Sequence, residues 1–126
     1  MKLDFLAAGS PHCPLIRLYA FDQPSVCRLR DLISPSGPLQ EQSVPLHMQP
    51  WIEPVDGCEL ELCLDERDRG IIEVGHSKFK LVLSDEGWAD IAGLLEPFCG
   101  LDNPKAYQWL DRRERISLLL SPSGTW

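Results

Sequence analysis

Basic residues are scarce in this chain, because 12 lysines and arginines stand against 19 aspartates and glutamates and the formal net charge is −7. A negative surface repels phosphate backbones and anionic lipid headgroups, so we expect neither nucleic acid nor a membrane as a partner. No run reaches the roughly 18 consecutive apolar residues of a membrane span. Asp4 interrupts the apolar start, and Pro11 and Pro14 follow it, which is a poor pattern for a secretory signal.

An even set of cysteines is also missing. The five cysteines are Cys13, Cys27, Cys58, Cys63 and Cys99. An odd number argues against a fully paired disulfide framework, so we predict a reduced, cytoplasmic protein. Cys58 and Cys63 are five positions apart, which places them on opposite faces of a strand and excludes a zinc knuckle. The default for Cys27 and Cys58 is a small buried core residue.

No motif for catalysis, nucleotide binding or metal binding survives inspection. The nine glycines are isolated, so the chain has no glycine-rich phosphate loop. The sequence around Ser77 resembles a nucleophile elbow, but Phe79 stands where the second glycine belongs. In residues 65–76 a calcium-loop pattern fails because Arg67 and Arg69 occupy positions that need oxygen donors. We therefore predict no cofactor and favour a protein without catalytic activity.

What the sequence does contain is hydrophobic periodicity. Leu60, Leu62 and Leu64 alternate with acidic residues, and Phe79, Leu81 and Leu83 alternate with lysines, which predicts strands over 59–65 and 78–83 with another at 70–74 between them. We expect these three strands to form a meander in sequential order. The opposite charges of the two outer faces could then pair across an antiparallel sheet.

Two amphipathic helices are predicted. Asp22 is a good N-cap, Pro24 suits the first turn, and Ser34-Pro35 ends the pattern. Ser84 caps the second helix, in which apolar residues recur at helical spacing from Trp88 to Leu95, and Pro97 ends it. A strand over 15–21 precedes the first helix, and a hairpin of residues 106–110 and 115–120 follows the second.

This order predicts an α+β fold in one domain over residues 1–126. We expect a single mostly antiparallel sheet of about five to seven strands, with both helices packed on one of its faces. Residues 1–13 are either a flexible lead-in or a segment tucked against the core. The tetrapeptide Ser-Pro-Ser-Gly occurs at 34–37 and 121–124, but its flanks do not match, so we interpret it as two similar turns and not as an internal duplication.

Residues 34–57 contain five prolines and are predicted to be an extended or edge segment. Within them His47, Met48, Trp51 and Ile52 combine residue types that are favoured in protein interfaces, and Trp51 is the candidate anchor. The structural alternative is that Trp51 and Ile52 close the open end of the core. Arg17, Tyr19 and Trp126 are weaker candidates for a binding surface.

The leading hypothesis for function is therefore a small, acidic, non-catalytic interaction or assembly module that binds a protein partner or a second copy of itself. The alternative is a small-ligand-binding protein or an enzyme with a pocket between sheet and helices, in which His47 or His76 acts with a cysteine.

Overall fold

The computed structural model describes residues 1–100 and 107–126, and in these residues it contains nine strands and two helices. The strands are β1 (Lys2–Leu6), β2 (Leu15–Tyr19), β3 (Val44–Pro45), β4 (Glu53–Pro54), β5 (Glu59–Leu64), β6 (Gly70–Gly75), β7 (Lys78–Leu83), β8 (Gln108–Asp111) and β9 (Ser117–Ser121), and the helices are α1 (Gln23–Ile33) and α2 (Asp85–Cys99).

The strands form two mixed sheets, so the prediction of a single mostly antiparallel sheet is wrong, although the α+β class is right. The first sheet has the order β4-β1-β2-β9-β8 and the second has the order β3-β5-β7-β6. In each sheet one central pair is parallel, β2 with β9 and β5 with β7. Alternation of apolar and polar residues reports which face of a strand is buried, and it carries no information on which strand is the neighbour.

The predicted sequential order of the meander is also wrong. Strands β5, β6 and β7 lie near their expected positions, but β7 sits between the other two, antiparallel to β6 and parallel to β5. The charged outer faces of β5 and β7 still meet, with Lys78 Nζ 3.9 Å from Glu59 and Lys80 Nζ 3.8 Å from Glu61. These pairs therefore form across a parallel ladder instead of an antiparallel one.

Both helices begin at the predicted caps. The Asp22 carboxylate accepts the Ser25 N–H at 3.0 Å, and the Ser84 hydroxyl accepts the Gly87 N–H at 3.2 Å, so each cap satisfies one N–H that has no partner within its helix. Helix α1 ends at Ile33, as predicted. Helix α2 continues beyond Pro97 to Cys99, so Pro97 lies in its last turn and does not end it.

The two halves of the chain share one topology. In each half an antiparallel pair of strands precedes a helix and a second antiparallel pair follows it: β1, β2, α1, β3, β5 and then β6, β7, α2, β8, β9, with β4 as the additional strand. The final pair of each half joins the first pair of the other half to make a sheet. The two tetrapeptides are not equivalent in this scheme, since one follows α1 and the other follows β9.

Burial along the helices follows the same scheme. Counted from the N-cap, residues +3, +4, +7 and +11 are buried in both helices. They are Ser25, Val26, Leu29 and Ile33 in α1 and Gly87, Trp88, Ile91 and Leu95 in α2. The shared topology and burial pattern therefore point to a repeat of architecture that the two tetrapeptides do not mark, and the interpretation of the tetrapeptides as two similar turns stays a prediction.

A disulfide joins the two helices. Helices α1 and α2 run antiparallel, because the start of α1 contacts the end of α2, and Cys27 is bonded to Cys99 with a Cα–Cα distance of 5.2 Å. One turn further along α1, Arg30 Nη1 lies 3.2 Å from the Glu96 carboxylate. The expectation that Cys27 is a small core residue is wrong. Cys58 is buried and carries a free thiol.

One hydrophobic cluster connects both sheets and both helices. Phe5 of β1 and Phe79 of β7 bring the inner faces of the two sheets together, with ring centroids 4.7 Å apart. Residues 1–13 were predicted to be either a flexible lead-in or a segment packed against the core. Residues Lys2–Leu6 are packed, since they form β1 and Leu3 is fully buried. The prolines of 34–57 leave only two short edge strands there, β3 and β4.

The last predicted hairpin is described except for its first residue. Ala106 lies outside the described residues, and the described part of the hairpin is β8 and β9.

Neither helix in the described part is long and apolar enough to cross a bilayer.

Candidate functional site

The predicted interface segment lies beside the N-terminal end of β5. Residues Leu46–Met48 form a single 3₁₀ turn that follows β3. The Leu60 N–H donates to His47 Nδ1 at 3.2 Å, and His47 Nε2 lies 3.4 Å from the Glu59 carboxylate. The hydrogen bond at Nδ1 therefore connects the turn to β5.

The four predicted site residues divide between the core and the surface. Ile52 belongs to the core cluster, and Trp51 packs half-buried against it. The Trp51 carbonyl accepts a hydrogen bond from the N-terminal ammonium group at 3.0 Å. Met48 projects into solvent with 71% of its surface exposed, the largest exposure of any large hydrophobic residue described.

Met48 borders a shallow depression of ≈ 330 Å³. His47, Pro54, Gly57, Cys58 and Glu59 complete its lining. We call Met48 and this depression the Met48 surface. It brings together His47 and Cys58, which the alternative hypothesis requires, but it opens beside the end of a sheet and not between a sheet and the helices.

The chemistry of the free thiols weighs against a cysteine nucleophile at the Met48 surface. Burial, together with the nearby carboxylates of Asp4 and Glu59, raises the pKa of the Cys58 thiol to about 12. At neutral pH this thiol is protonated and unreactive. In residues 1–100 and 107–126, no group of three or more histidine, cysteine, aspartate or glutamate side chains could hold a metal ion.

The weaker candidates Arg17, Tyr19 and Trp126 hold the C-terminal segment in place. Arg17 stacks over the Tyr19 ring, donates to both oxygens of Asp4 at 3.1 and 2.6 Å, and donates to the Gly124 carbonyl at 2.8 Å. The Trp126 indole N–H donates to His12 at 3.2 Å. All three side chains therefore have partners within the fold, and His76 is exposed in the β6–β7 turn.

Sequence reasoning missed a second concave region, at the opposite end of β5. A depression of ≈ 500 Å³ separates the end of α1 from the start of α2, and an adjoining one of ≈ 590 Å³ extends from there to the end of β5. The first is lined by Ile33, Pro35, Gln40, Asp85, Glu86, Ala89 and Ala92, and the second by Leu64, Asp65, Glu66, Ser84, Asp85 and Glu86. We call the two together the helix groove.

The walls of the helix groove are fixed by hydrogen bonds between elements. The Asp68 carboxylate accepts both the backbone N–H and the hydroxyl of Ser84, each at 2.8 Å, and these bonds lower the pKa of Asp68. The Trp88 indole N–H donates to the Cys63 carbonyl at 3.0 Å, which ties α2 to β5. The groove thus lies between elements that are held in place, and no local sequence signal marks it because three separate segments line it.

Comparison with known proteins identified no relative: no family model, no curated protein and no solved structure matches this chain.

Proposed function

We propose that this chain is a non-catalytic interaction or assembly module, which binds a protein partner or a second copy of itself through the Met48 surface. The observation that carries the proposal is the exposure of Met48 on a turn that is held rigidly in place. Methionine is enriched in interfaces, where its flexible thioether adapts to an irregular partner. The His47–Leu60 hydrogen bond orders the turn before any partner arrives, which lowers the entropic cost of binding.

The alternative function, a small-ligand site or an enzyme that uses His47 and Cys58, has weaker support. Both residues line the same depression, which favours it. The raised pKa of Cys58 and the hydrogen bond that His47 Nδ1 accepts from Leu60 oppose it, since a nucleophile needs a thiolate and a base needs a nitrogen that is free to accept a proton.

The prediction of a cytoplasmic protein loses part of its basis. It depends on the odd number of cysteines and on the absence of a recognisable signal. A disulfide such as Cys27–Cys99 persists in oxidising compartments and is rare in the cytosol. The compartment stays a prediction, which fractionation of the native source would test.

The experiment is photo-crosslinking from the Met48 position. We would incorporate benzoyl-phenylalanine in place of Met48 in the native source, and in place of Val74 as the control, because Val74 is also an exposed apolar residue (54% exposed) but lies on the edge strand β6. A homo-oligomer gives a crosslinked product of twice the chain mass, and a partner gives a product of another mass. The proposal fails if the Met48 position gives no product.

A second measurement applies if the chain self-associates. Burying a methionine side chain contributes about 1.5–3 kcal/mol, so Met48→Lys should weaken association on the order of tenfold or more in sedimentation velocity. If Val74→Lys disrupts the oligomer and Met48→Lys does not, the interface is the open edge of β6 and the Met48 surface is not involved.

A further inference from the structure

The helix groove lies at one end of the helix pair, and the Cys27–Cys99 disulfide lies at the other. Ala89 and Cys27 occupy equivalent positions, each five residues after the N-cap of its helix. Cys27 is covered by its disulfide to Cys99, and the Gln23 side chain donates to the Cys99 carbonyl beside it. At the other end Ala89 is exposed and lines the ≈ 500 Å³ depression of the helix groove with Ala92 and Ile33; we call this apolar part of the groove the channel.

The rim of the helix groove is acidic. Asp85 and Glu86 border both of its depressions, and Glu66 borders the one beside the end of β5; among the described residues none of the three forms an ion pair. Asp65 also borders the depression beside β5 and lies 3.4 Å from Arg69. The N-terminus of α2 carries about half a positive charge, which offsets part of the charge of Asp85 and Glu86 and leaves the rim negative.

We propose that the helix groove binds a basic segment of a protein partner, with one apolar side chain in the channel over Ala89 and Ala92 and lysines or arginines beside Glu66 and Glu86. The charge of the rim selects this occupant. Cationic side chains supply the missing counter-charges, whereas an acidic peptide or a nucleic acid would add like charge to the rim. The apolar side chains of Ile33, Ala89 and Ala92 favour a hydrophobic residue between the cations. A polar residue there would lose its hydration without gaining a hydrogen-bond partner.

This site is separate from the Met48 surface. The two lie at opposite ends of β5, Leu64 at one and Glu59 at the other, which is about 17 Å at roughly 3.3 Å per residue. Either surface can therefore be tested, and can fail, without the other.

The test is fluorescence polarisation with a labelled synthetic peptide in which lysines flank a pair of leucines. Two companion probes carry glutamate in place of each lysine and alanine in place of each leucine. The charge variant is Glu66→Gln/Glu86→Gln, which changes two exposed carboxylates that form no ion pair among the described residues. Its control is Glu53→Gln/Asp56→Asn, which removes two exposed carboxylates at the other end of β5, of which Glu53 lies 3.9 Å from Lys2 Nζ. Asparagine suits position 56, where φ is +54°.

A third variant, Ala89→Trp, fills the channel from an exposed helix position and leaves the charges unchanged. Circular dichroism verifies that each variant folds. We expect the charge variant to weaken binding of the lysine–leucine peptide roughly 2- to 30-fold, and the control to leave affinity within about a factor of two. Ala89→Trp, or alanines in place of the leucines, should weaken it about tenfold or more. Added salt should weaken it further through screening.

Three outcomes would overturn the proposal: no binding of the lysine–leucine peptide, equal loss in the charge variant and its control, or unchanged affinity in a folded Ala89→Trp variant. Equal binding of the leucine and alanine peptides, with loss only in the charge variant, would show non-specific attraction to an acidic surface and would also overturn it.

Discussion

Reduction of the Cys27–Cys99 disulfide should destabilise the protein by about 2–4 kcal/mol. The bond closes a loop with a sequence separation of 72 residues. In the chain-entropy model a loop of this length stabilises the fold by about 4 kcal/mol at 25 °C, because the crosslink restricts the unfolded chain. That value is an upper limit, since a compact unfolded chain already loses some of this freedom. Against a typical total of about 5–15 kcal/mol, the loss is large.

The assay is urea unfolding of the oxidised and the reduced protein. With a slope of about 2 kcal/mol/M, the midpoint should fall by about 1–2 M on reduction. A Cys27→Ser/Cys99→Ser variant is the control, because its midpoint should match that of the reduced protein and should not respond to reductant. Alkylation of the unfolded, unreduced protein should modify three cysteines out of five. Modification of all five, or a change below about 1 kcal/mol on reduction, would refute the reasoning.

Four further predictions concern single residues and contacts. Cys58 should react very slowly with iodoacetamide at neutral pH, since burial raises its pKa to about 12, and rapid labelling of the folded protein would contradict this. Ser84→Ala should lower the free energy of unfolding by about 1 kcal/mol through loss of the α2 cap. The hydrogen bonds from Ser84 lower the pKa of Asp68 in the folded protein. The stabilisation that they provide should therefore be complete above the unfolded pKa of about 3.9 and disappear as the pH falls through the folded pKa. The measurement is the difference in free energy of unfolding between the protein and its Asp68→Asn variant as a function of pH. Arg17→Met should cost about 3–5 kcal/mol by leaving the buried Asp4 unpaired, and Asp4→Leu in the same chain should recover much of that loss in thermal unfolding.

Local chemistry made the elements predictable. Asp22 and Ser84 mark both helix starts because their side chains accept N–H groups within three residues along the chain. Alternation placed β5, β6 and β7 to within about two residues, since each strand buries one face. Which strands lie side by side, and in which direction, was not predictable from the sequence. The Glu–Lys pairs that suggested an antiparallel sheet form equally well when β5 and β7 run parallel. The disulfide was missed for the same reason, since nothing near Cys27 points to a partner 72 residues away.

The two surfaces differ in how far a sequence can reveal them. The Met48 surface comes mainly from one continuous segment, so its unusual composition was visible, although the burial of Ile52 and the role of His47 in pinning the turn were not. The helix groove is lined by the end of α1, the end of β5 and the start of α2. In the sequence its acidic residues do not stand out, because Asp65 and Glu66 follow a strand and Asp85 and Glu86 lie in the first turn of a helix, where carboxylates are common. Only the fold brings them to one rim.

The repeated topology explains why the two ends of the helix pair differ. The last strand pair of each half joins the sheet that the first pair of the other half begins. The helices α1 and α2 occupy equivalent places in the two halves and pack against each other. At one end the Cys27–Cys99 disulfide and the hydrogen bond from the Gln23 side chain to the Cys99 carbonyl connect the two helices. At the equivalent position the other half has Ala89, whose small side chain leaves the channel open. The two ends of the helix pair therefore differ, because one carries a covalent link between the helices and the other carries the helix groove.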